Sequence, residues 1–239
     1  MPVFVVTGAR GGMGAEYIRQ ISESKDNTVF AIVRNTNADI TELEAIKAQS
    51  KGVIHLIGCD VSSDESVLPL GSKISSLLEP GQKIDTIINN AAMLEREDEK
   101  AVSISTQNLT KHINSNVGGP ARVQQSLLPF LKENGLIANI TSGMGSKGML
   151  SRGRIRPRVP SYGISKAALN MLTVYQAYEL RGKAIVVSLD PGHVKTARGG
   201  DGATLEINDS VRQVLATLGG LKPEDSGRFL LYNGTELPW

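Results

Sequence analysis

Pro2-Val3-Phe4-Val5-Val6-Thr7-Gly8-Ala9-Arg10-Gly11-Gly12-Met13-Gly14 opens the chain and decides its fold. The apolar, β-branched run at 2–6 has the composition of a fully buried strand. Glycines at 8, 11, 12 and 14 follow at once. Residues 16–21 then read as a helix, with Met13, Tyr17, Ile18 and Ile21 at helical spacing. A strand, a glycine turn and a helix start in that order make a phosphate site. Glycines let the backbone approach a pyrophosphate, and the first helical N–H groups point at it. The spacing Gly8-x-x-x-Gly12-x-Gly14 differs from the commonest dinucleotide fingerprint, Gly-x-Gly-x-x-Gly. A glycine turn that merely closes a βα corner is disfavoured by the strand and helix on either side.

Apolar runs recur at 3–7, 29–34, 54–60, 84–89, 136–141, 184–190 and 229–232, with helical segments between them. This alternation predicts right-handed βαβ units in one parallel sheet. The expected class is α/β, a doubly wound parallel sheet of about seven strands with helices on both faces. No linker, repeat or low-complexity tract divides the chain. One domain is therefore expected over 1–239, with halves at about 1–135 and about 136–239. Open α/β sheets bind ligands beyond the carboxyl ends of their strands. Thr7, Arg34, Asp60, Asn89, Ser142 and Pro191 all fall at such ends.

Composition narrows the function classes. The formal net charge of +2 in 239 residues implies neither a nucleic-acid nor a membrane partner. No apolar stretch approaches spanning length. Met1-Pro2-Val3-Phe4 has no cationic region ahead of an apolar one, so no secretory signal is expected. A single cysteine, Cys59, excludes an internal disulfide and fits a reducing, cytoplasmic setting. His55, His112 and His193 lack metal-ligand spacing, so no metal is expected.

The second informative stretch is Pro160-Ser161-Tyr162-Gly163-Ile164-Ser165-Lys166. Tyr162 and Lys166 lie about one helical turn apart and project from one face. A nearby cation favours the phenolate, and a tyrosine tuned this way exchanges protons with a substrate oxygen. Alone, the pair equally describes a solvated helix face. Together with the glycine loop it resembles the short-chain dehydrogenase/reductase family, which has a Rossmann fold. Thr7-Gly8-x-x-x-Gly12-x-Gly14 resembles the cofactor loop of that family, and Tyr162-x-x-x-Lys166 its catalytic pair. Asn89-Asn90-Ala91-Ala92 stands where the family usually has Asn-Asn-Ala-Gly. Asn114-Ser115-Asn116-Val117-Gly118 resembles its mid-chain helix, Asn139-Ile140-Thr141-Ser142 its serine strand, and Asp190-Pro191-Gly192-His193-Val194-Lys195-Thr196 its Pro-Gly motif. The six segments span essentially the whole chain in the family's order.

The resemblance implies roles. Ser142 would hydrogen-bond a substrate carbonyl, Tyr162 would donate the proton, and Lys166 would assist Tyr162 and hold the nicotinamide ribose. Asn116 would anchor a proton-relaying water. Gly8, Arg10, Gly12, Met13 and Gly14 would cradle the dinucleotide, with Asn90 and Ala91 beside them. Asp60 and Val61 would touch adenine. Pro191 and Gly192 would lie beside the nicotinamide, and Val194 and Thr196 would hold its carboxamide. Ser142 and Tyr162 are 20 residues apart, farther than the family commonly shows, so 143–160 reads as an insertion and Ser146 competes for the serine role.

The second strand ends Val33-Arg34-Asn35, with no acid until Asp39. An acid there binds a ribose 2′-hydroxyl, whereas an arginine accommodates a 2′-phosphate. Arg34, seconded by Arg10, therefore favours NADP(H) over NAD. The insertion carries Lys147, Arg152, Arg154, Arg156 and Arg158 and no acid. It is expected to overhang the mouth of the crevice, either attracting an anionic substrate or pairing with the acidic run at 95–99. The short glycine-rich segment at 196–202 implies an open, mobile pocket. With the closing segment Tyr232-Asn233-Gly234-Thr235-Glu236-Leu237-Pro238-Trp239, it resembles the carbonyl-reductase-like branch that includes fungal ketoreductases. The implied reaction is NADP-dependent reduction of a ketone, aldehyde or quinone. The alternatives are alcohol oxidation by the same residues, or a cofactor-holding protein with a non-redox or regulatory role. The implied partners are a small carbonyl or alcohol substrate and a possible second copy of the chain. Helices near 108–131 and 162–181 would form the dimer face, and Leu169, Leu172 and Val174 fit either the sheet or a partner.

Overall fold

The computed structural model describes residues 1–95, 99–197, 199–200 and 202–239. The acidic run at 95–99 is thus seen only at Glu95 and Glu99; Arg198 and Asp201 of the glycine-rich segment also lie outside the described residues. In chain order the elements are β1 (Val3–Thr7), α1 (Met13–Ile21), β2 (Thr28–Val33), α2 (Thr41–Gln49) and β3 (Val53–Gly58). Next come α3 (Asp64–Val67), α4 (Leu70–Ser75), β4 (Ile84–Asn89), α5 (Thr106–Ile113) and α6 (Gly119–Leu127). The second half holds β5 (Leu131–Ile140), α7 (Lys147–Ser151), α8 (Pro160–Glu179), β6 (Ala184–Asp190), α9 (Ile207–Gly219) and β7 (Phe229–Leu231).

The strands form one sheet in the order β3-β2-β1-β4-β5-β6-β7, and every neighbouring pair is parallel. The apolar runs dictate this: side chains alternate across a strand, and both faces here are covered. Val29, Ala31 and Val33 of β2 pack with α1 and α9, while Phe30 and Ile32 pack with α4 and α6. In β6, Ile185, Val187 and Leu189 face the first layer and Ala184 and Val186 the second. The order reverses between β1 and β4, which opens a crevice there at the carboxyl ends.

Two boundaries depart from the sequence reading by three residues or more. Helix α1 begins at Met13, because Gly12 makes the turn at φ 56°, ψ −133°. Strand β5 begins at Leu131 rather than 136, through Lys132 and Glu133, which are exposed. Its register shifts between the Ile84–Leu131 and Thr86–Leu136 pairs. A polar, solvated strand extension carries no apolar signal.

A buried polar rung crosses the sheet centre. Asn89, Asn139 and Ser188 are register partners on β4, β5 and β6. Asn89 Nδ2 donates to Asn139 Oδ1 at 2.9 Å, and Asn139 Nδ2 donates to Thr173 Oγ1 and Gln176 Oε1 on α8. The rung fixes α8 along the sheet. Leu169 is buried on the inner side of α8, while Val174, Ile164, Met171 and Tyr178 are exposed. The closing segment folds back on β7: Leu237 N donates to Phe229 O, and the Trp239 ring stacks on Phe229 at 5.3 Å. Among the described residues no helix is long and apolar enough to cross a membrane.

Candidate active site

A cleft of about 680 Å³ runs along the carboxyl ends of the central strands. Its first end is the glycine loop. A Cβ on Gly14 would lie 2.0 Å from Gly8 O, so α1 packs onto β1 only because residue 14 lacks one. No side chain caps Gly12, which leaves the first N–H groups of α1 for a ligand. Asn90 Nδ2 donates to Thr7 O, and Ala91 N donates to Thr7 Oγ1, tying the end of β4 to this loop.

Arg10 and Arg34 are exposed on the same wall. Arg34 Nε lies 3.9 Å from Asp60 Oδ2. Burial pushes the Asp60 carboxyl up, but hydrogen bonds from Ser62 and the charge of Arg34 outweigh it and hold the group below its ordinary range. Asp39, the first acid after β2, does not line the cleft; it accepts from Thr41 N at 3.1 Å, and the bonds from Thr41, with the charge of Arg10, hold its carboxyl below its ordinary range.

The other end is built on α8. Lys166 is buried, its Nζ donates to Ile140 O at 2.8 Å, and it lies 5.6 Å from the Tyr162 ring centroid. Ser142, two residues past the end of β5, lies on the cleft wall and accepts from Met144 N at 3.2 Å. Ser146 does not line the cleft. It is fully buried, caps α7 by accepting from Met149 N, and donates to Pro238 O.

Of the residues expected at the site, every one lines this cleft except Asn116. Asn116 is fully buried in a π-turn, Asn114–Gly118, and its side chain is engaged on every side. It accepts from Met93 N at 2.6 Å and donates to Met93 O and Ser165 Oγ, and Ser165 Oγ in turn donates to Tyr162 O. Its side chain braces the loop after β4 against α8; Ser115 is the neighbour that faces the cleft.

Two further acids were not marked out by the sequence. Asp190 is buried at the end of β6. Its Oδ2 accepts from Gly143 N at 2.7 Å and its Oδ1 from Gly192 N at 2.9 Å, so one carboxyl joins the loop after Ser142 to the Pro191-Gly192 turn. Burial pushes this carboxyl above its ordinary range, against the opposing pull of the two N–H groups, Lys166 and His193. Glu99 accepts from Ser161 N and Ser161 Oγ, and so caps the helix that carries Tyr162. The Asp-Pro-Gly motif and the acidic run were visible as sequence, but their partners lie 47 and 62 residues away.

The insertion overhangs the cleft only in part. Arg158 and Val159 join its wall, whereas Lys147, Arg152, Arg154 and Arg156 are exposed elsewhere. The described acids of the 95–99 run do not pair with it. Glu95 lies 4.0 Å from Lys111, and Glu99 is taken by Ser161 and Asn108.

Residues 2–203 match the short chain dehydrogenase family. The chain belongs to that family. As a short-chain dehydrogenase it is an oxidoreductase by descent, and its fold agrees. An NADPH-bound carbonyl reductase from chicken fatty liver superposes with a TM-score of 0.90 at 28% identity, covering 100% of both chains. A protein named C-signal from Myxococcus xanthus is 39% identical over 159 residues, 65% of this chain and 93% of its own. A 1-hydroxy-2-glutathionyl-2-methyl-3-butene dehydrogenase from Rhodococcus sp. (strain AD45) is 28% identical over 244 residues, covering 100% of each.

Proposed function

We propose that this short-chain dehydrogenase reduces a ketone, aldehyde or quinone with NADPH. The observation that carries the reading is convergence. Ser142, Tyr162 and Lys166 meet at one end of a cleft whose other end presents the glycine loop, Arg10 and Arg34. The walls fit the cofactor. Gly12, at φ 56°, opens the backbone to a pyrophosphate, and two exposed guanidinium groups suit a 2′-phosphate better than a bare ribose hydroxyl. The similar chicken carbonyl reductase, described with NADPH, supports the same choice.

Bound NADPH supplies the hydride. The chain does the rest. Ser142 accepts from Met144 N, so its O–H remains to donate toward a carbonyl oxygen in the cleft. Tyr162 gives its proton to the oxygen as negative charge develops there. The buried ammonium of Lys166, 5.6 Å from the Tyr162 ring, stabilises the phenolate left behind. Asn116, through Ser165, and Glu99, through Ser161, hold the first turn of α8 so that the phenol meets the carbonyl rather than solvent.

The test is NADPH oxidation across aldehydes, aryl ketones and quinones, with Tyr162→Phe alongside. Turnover should fall by about 10²–10⁴-fold in the variant, the usual worth of a positioned acid. A Phe variant as active as the parent would overturn the assignment of Tyr162. A second reading, a non-redox role around a bound cofactor, is favoured by likeness to a relative named as a signal. Tight NADPH binding with no turnover on any substrate would select it.

A further inference from the structure

The five cations of 143–160 are not equivalent. Arg158 is the one that lines the cleft, and two observations set it apart. It is exposed and, like the other four, its charged group has no hydrogen bond or ion pair among the described residues. The next residue, Val159, is held at φ 46°, ψ 71°, in the left-handed region. A β-branched side chain and a following proline both disfavour that conformation. Such strain persists only where the surroundings over-determine it, and it clusters at ligand clamps. Here the clamp is visible: Gly163 N donates to Val159 O, and Glu99 grips Ser161 through both its N–H and its hydroxyl. The strained turn sets Arg158 on the cleft wall, four residues before Tyr162. Finally, Asp60, beside Arg34, is the sole acid among the described lining residues, whereas Arg158, Lys166 and His193 all line the cleft.

We propose that Arg158 binds a carboxylate on the substrate, so that the preferred substrate is a carbonyl compound bearing an acid. The proposal rests on the reductase reading above and names its substrate class. A guanidinium offers a planar fork that matches a carboxylate with two parallel hydrogen bonds. The Cα atoms of Arg158 and Tyr162 lie at most about 14 Å apart and both residues line one cleft, so a single small molecule can carry both the acid and the carbonyl. Leu94 and Met144, on the same wall, provide apolar surface for its body.

The experiment compares 4-acetylbenzoate with its methyl ester as substrates for the NADPH-loaded protein. The readout is the acid-to-ester ratio of kcat/KM in the parent, Arg158→Gln, Arg158→Lys and Arg154→Gln. The parent should prefer the acid. Arg158→Gln should lower the ratio by about tenfold or more, the worth of a charge-assisted hydrogen bond, and Arg158→Lys should restore part of it. Arg154→Gln should leave the ratio within about twofold, as befits a solvated charge that does not line the cleft. An unchanged ratio in Arg158→Gln, or an equal fall in Arg154→Gln, overturns the proposal. Calorimetry of the two ligands on NADPH-loaded protein separates the two readings. If neither compound is reduced but Arg158→Gln still weakens acid binding by about tenfold, the reductase reading fails and the anion subsite stands. If the parent binds the acid no more tightly than the ester, the subsite is wrong whatever the turnover.

Discussion

Ser142 and Ser146 make opposite predictions, because one serine faces the cleft and the other faces the core. Ser142 is half-buried and accepts a single hydrogen bond, from Met144 N at 3.2 Å. Replacing it with alanine removes one neutral bond near water, about 0.5–1.5 kcal/mol. In the reaction it removes a donor aimed at the developing oxyanion, about 2.7–4 kcal/mol or 10²–10³ in kcat. Ser146 is fully buried and makes two bonds, accepting from Met149 N and donating to Pro238 O. Ser146→Ala leaves two half-buried groups unpaired, at up to about 1–3 kcal/mol each. It touches no part of the cleft. Urea midpoints and kcat with NADPH and a saturating ketone should therefore dissociate. Ser142→Ala should lose activity with little stability, and Ser146→Ala stability with little activity. For a chain of this size about 1 kcal/mol moves Tm by roughly 2–4 °C, so the contrast is readable by thermal melts as well. If Ser142→Ala keeps kcat within about threefold while melting earlier, Ser142 is only a cap on its turn and the oxyanion argument fails.

Arg34 must leave an exposed 3.9 Å pair with Asp60, worth at most about 1 kcal/mol, to gain a charge-assisted bond to a 2′-phosphate worth about 1.5–3 kcal/mol. Arg34→Ser should thus lower the NADPH-over-NADH preference in kcat/KM by roughly 2- to 150-fold; an unchanged preference would leave Arg34 as surface. Asp190 gives a pH signature. Burial raises its folded pKa above the ordinary 3.8, so between those values the native state holds a proton that the unfolded chain releases. The stabilisation is therefore full below the unfolded pKa and lost as pH rises through the folded one. The stability of the parent relative to Asp190→Asn should fall as pH rises from 4, read as the difference in urea midpoints; a difference that rises with pH would contradict the burial argument.

What was legible in the sequence was local. The glycine loop reads from its own residues, because close packing of Gly14 on Gly8 O is a backbone requirement that few other sequences meet. The Tyr162–Lys166 pair reads from helical spacing. The strands read because both faces of a parallel sheet are apolar. What was not legible depends on contacts across long separations. The spacing of Ser142 and Ser146 from Tyr162 left them competing; it took the Pro238 carbonyl, 92 residues from Ser146, to show that the second serine is spent on structure. The resemblance gave Asn116 a water-anchoring role; that its side chain is held by Met93 and Ser165 is a feature only the fold reveals. The basic insertion read as one charged surface, yet of its five cations only Arg158, next to the strained Val159, lines the cleft.

These long-range contacts share one purpose. The proposed proton donor and its lysine sit on α8, a 20-residue helix locked to the sheet through Thr173 and Gln176, but the walls around it come from loops after β4, β5 and β6. Loops are the less stable parts of a fold, and a site made of them drifts unless something ties them down. Here each loop is tied by a buried or half-buried polar side chain at its root. Asn116 holds the loop after β4 through Met93. Asp190 holds those after β5 and β6 together through Gly143 and Gly192. Glu99 fastens the rim to the start of α8. None of the three needs to touch a substrate, and all three act on the backbone. Their loss should therefore be felt as disorder in where Ser142, Tyr162 and Arg158 point rather than as loss of a reacting group. That is the reason a site of weak sequence motifs can be geometrically strict: the motifs supply the functional groups, and the strictness comes from carboxylates and an amide that bind N–H groups brought to them by the fold.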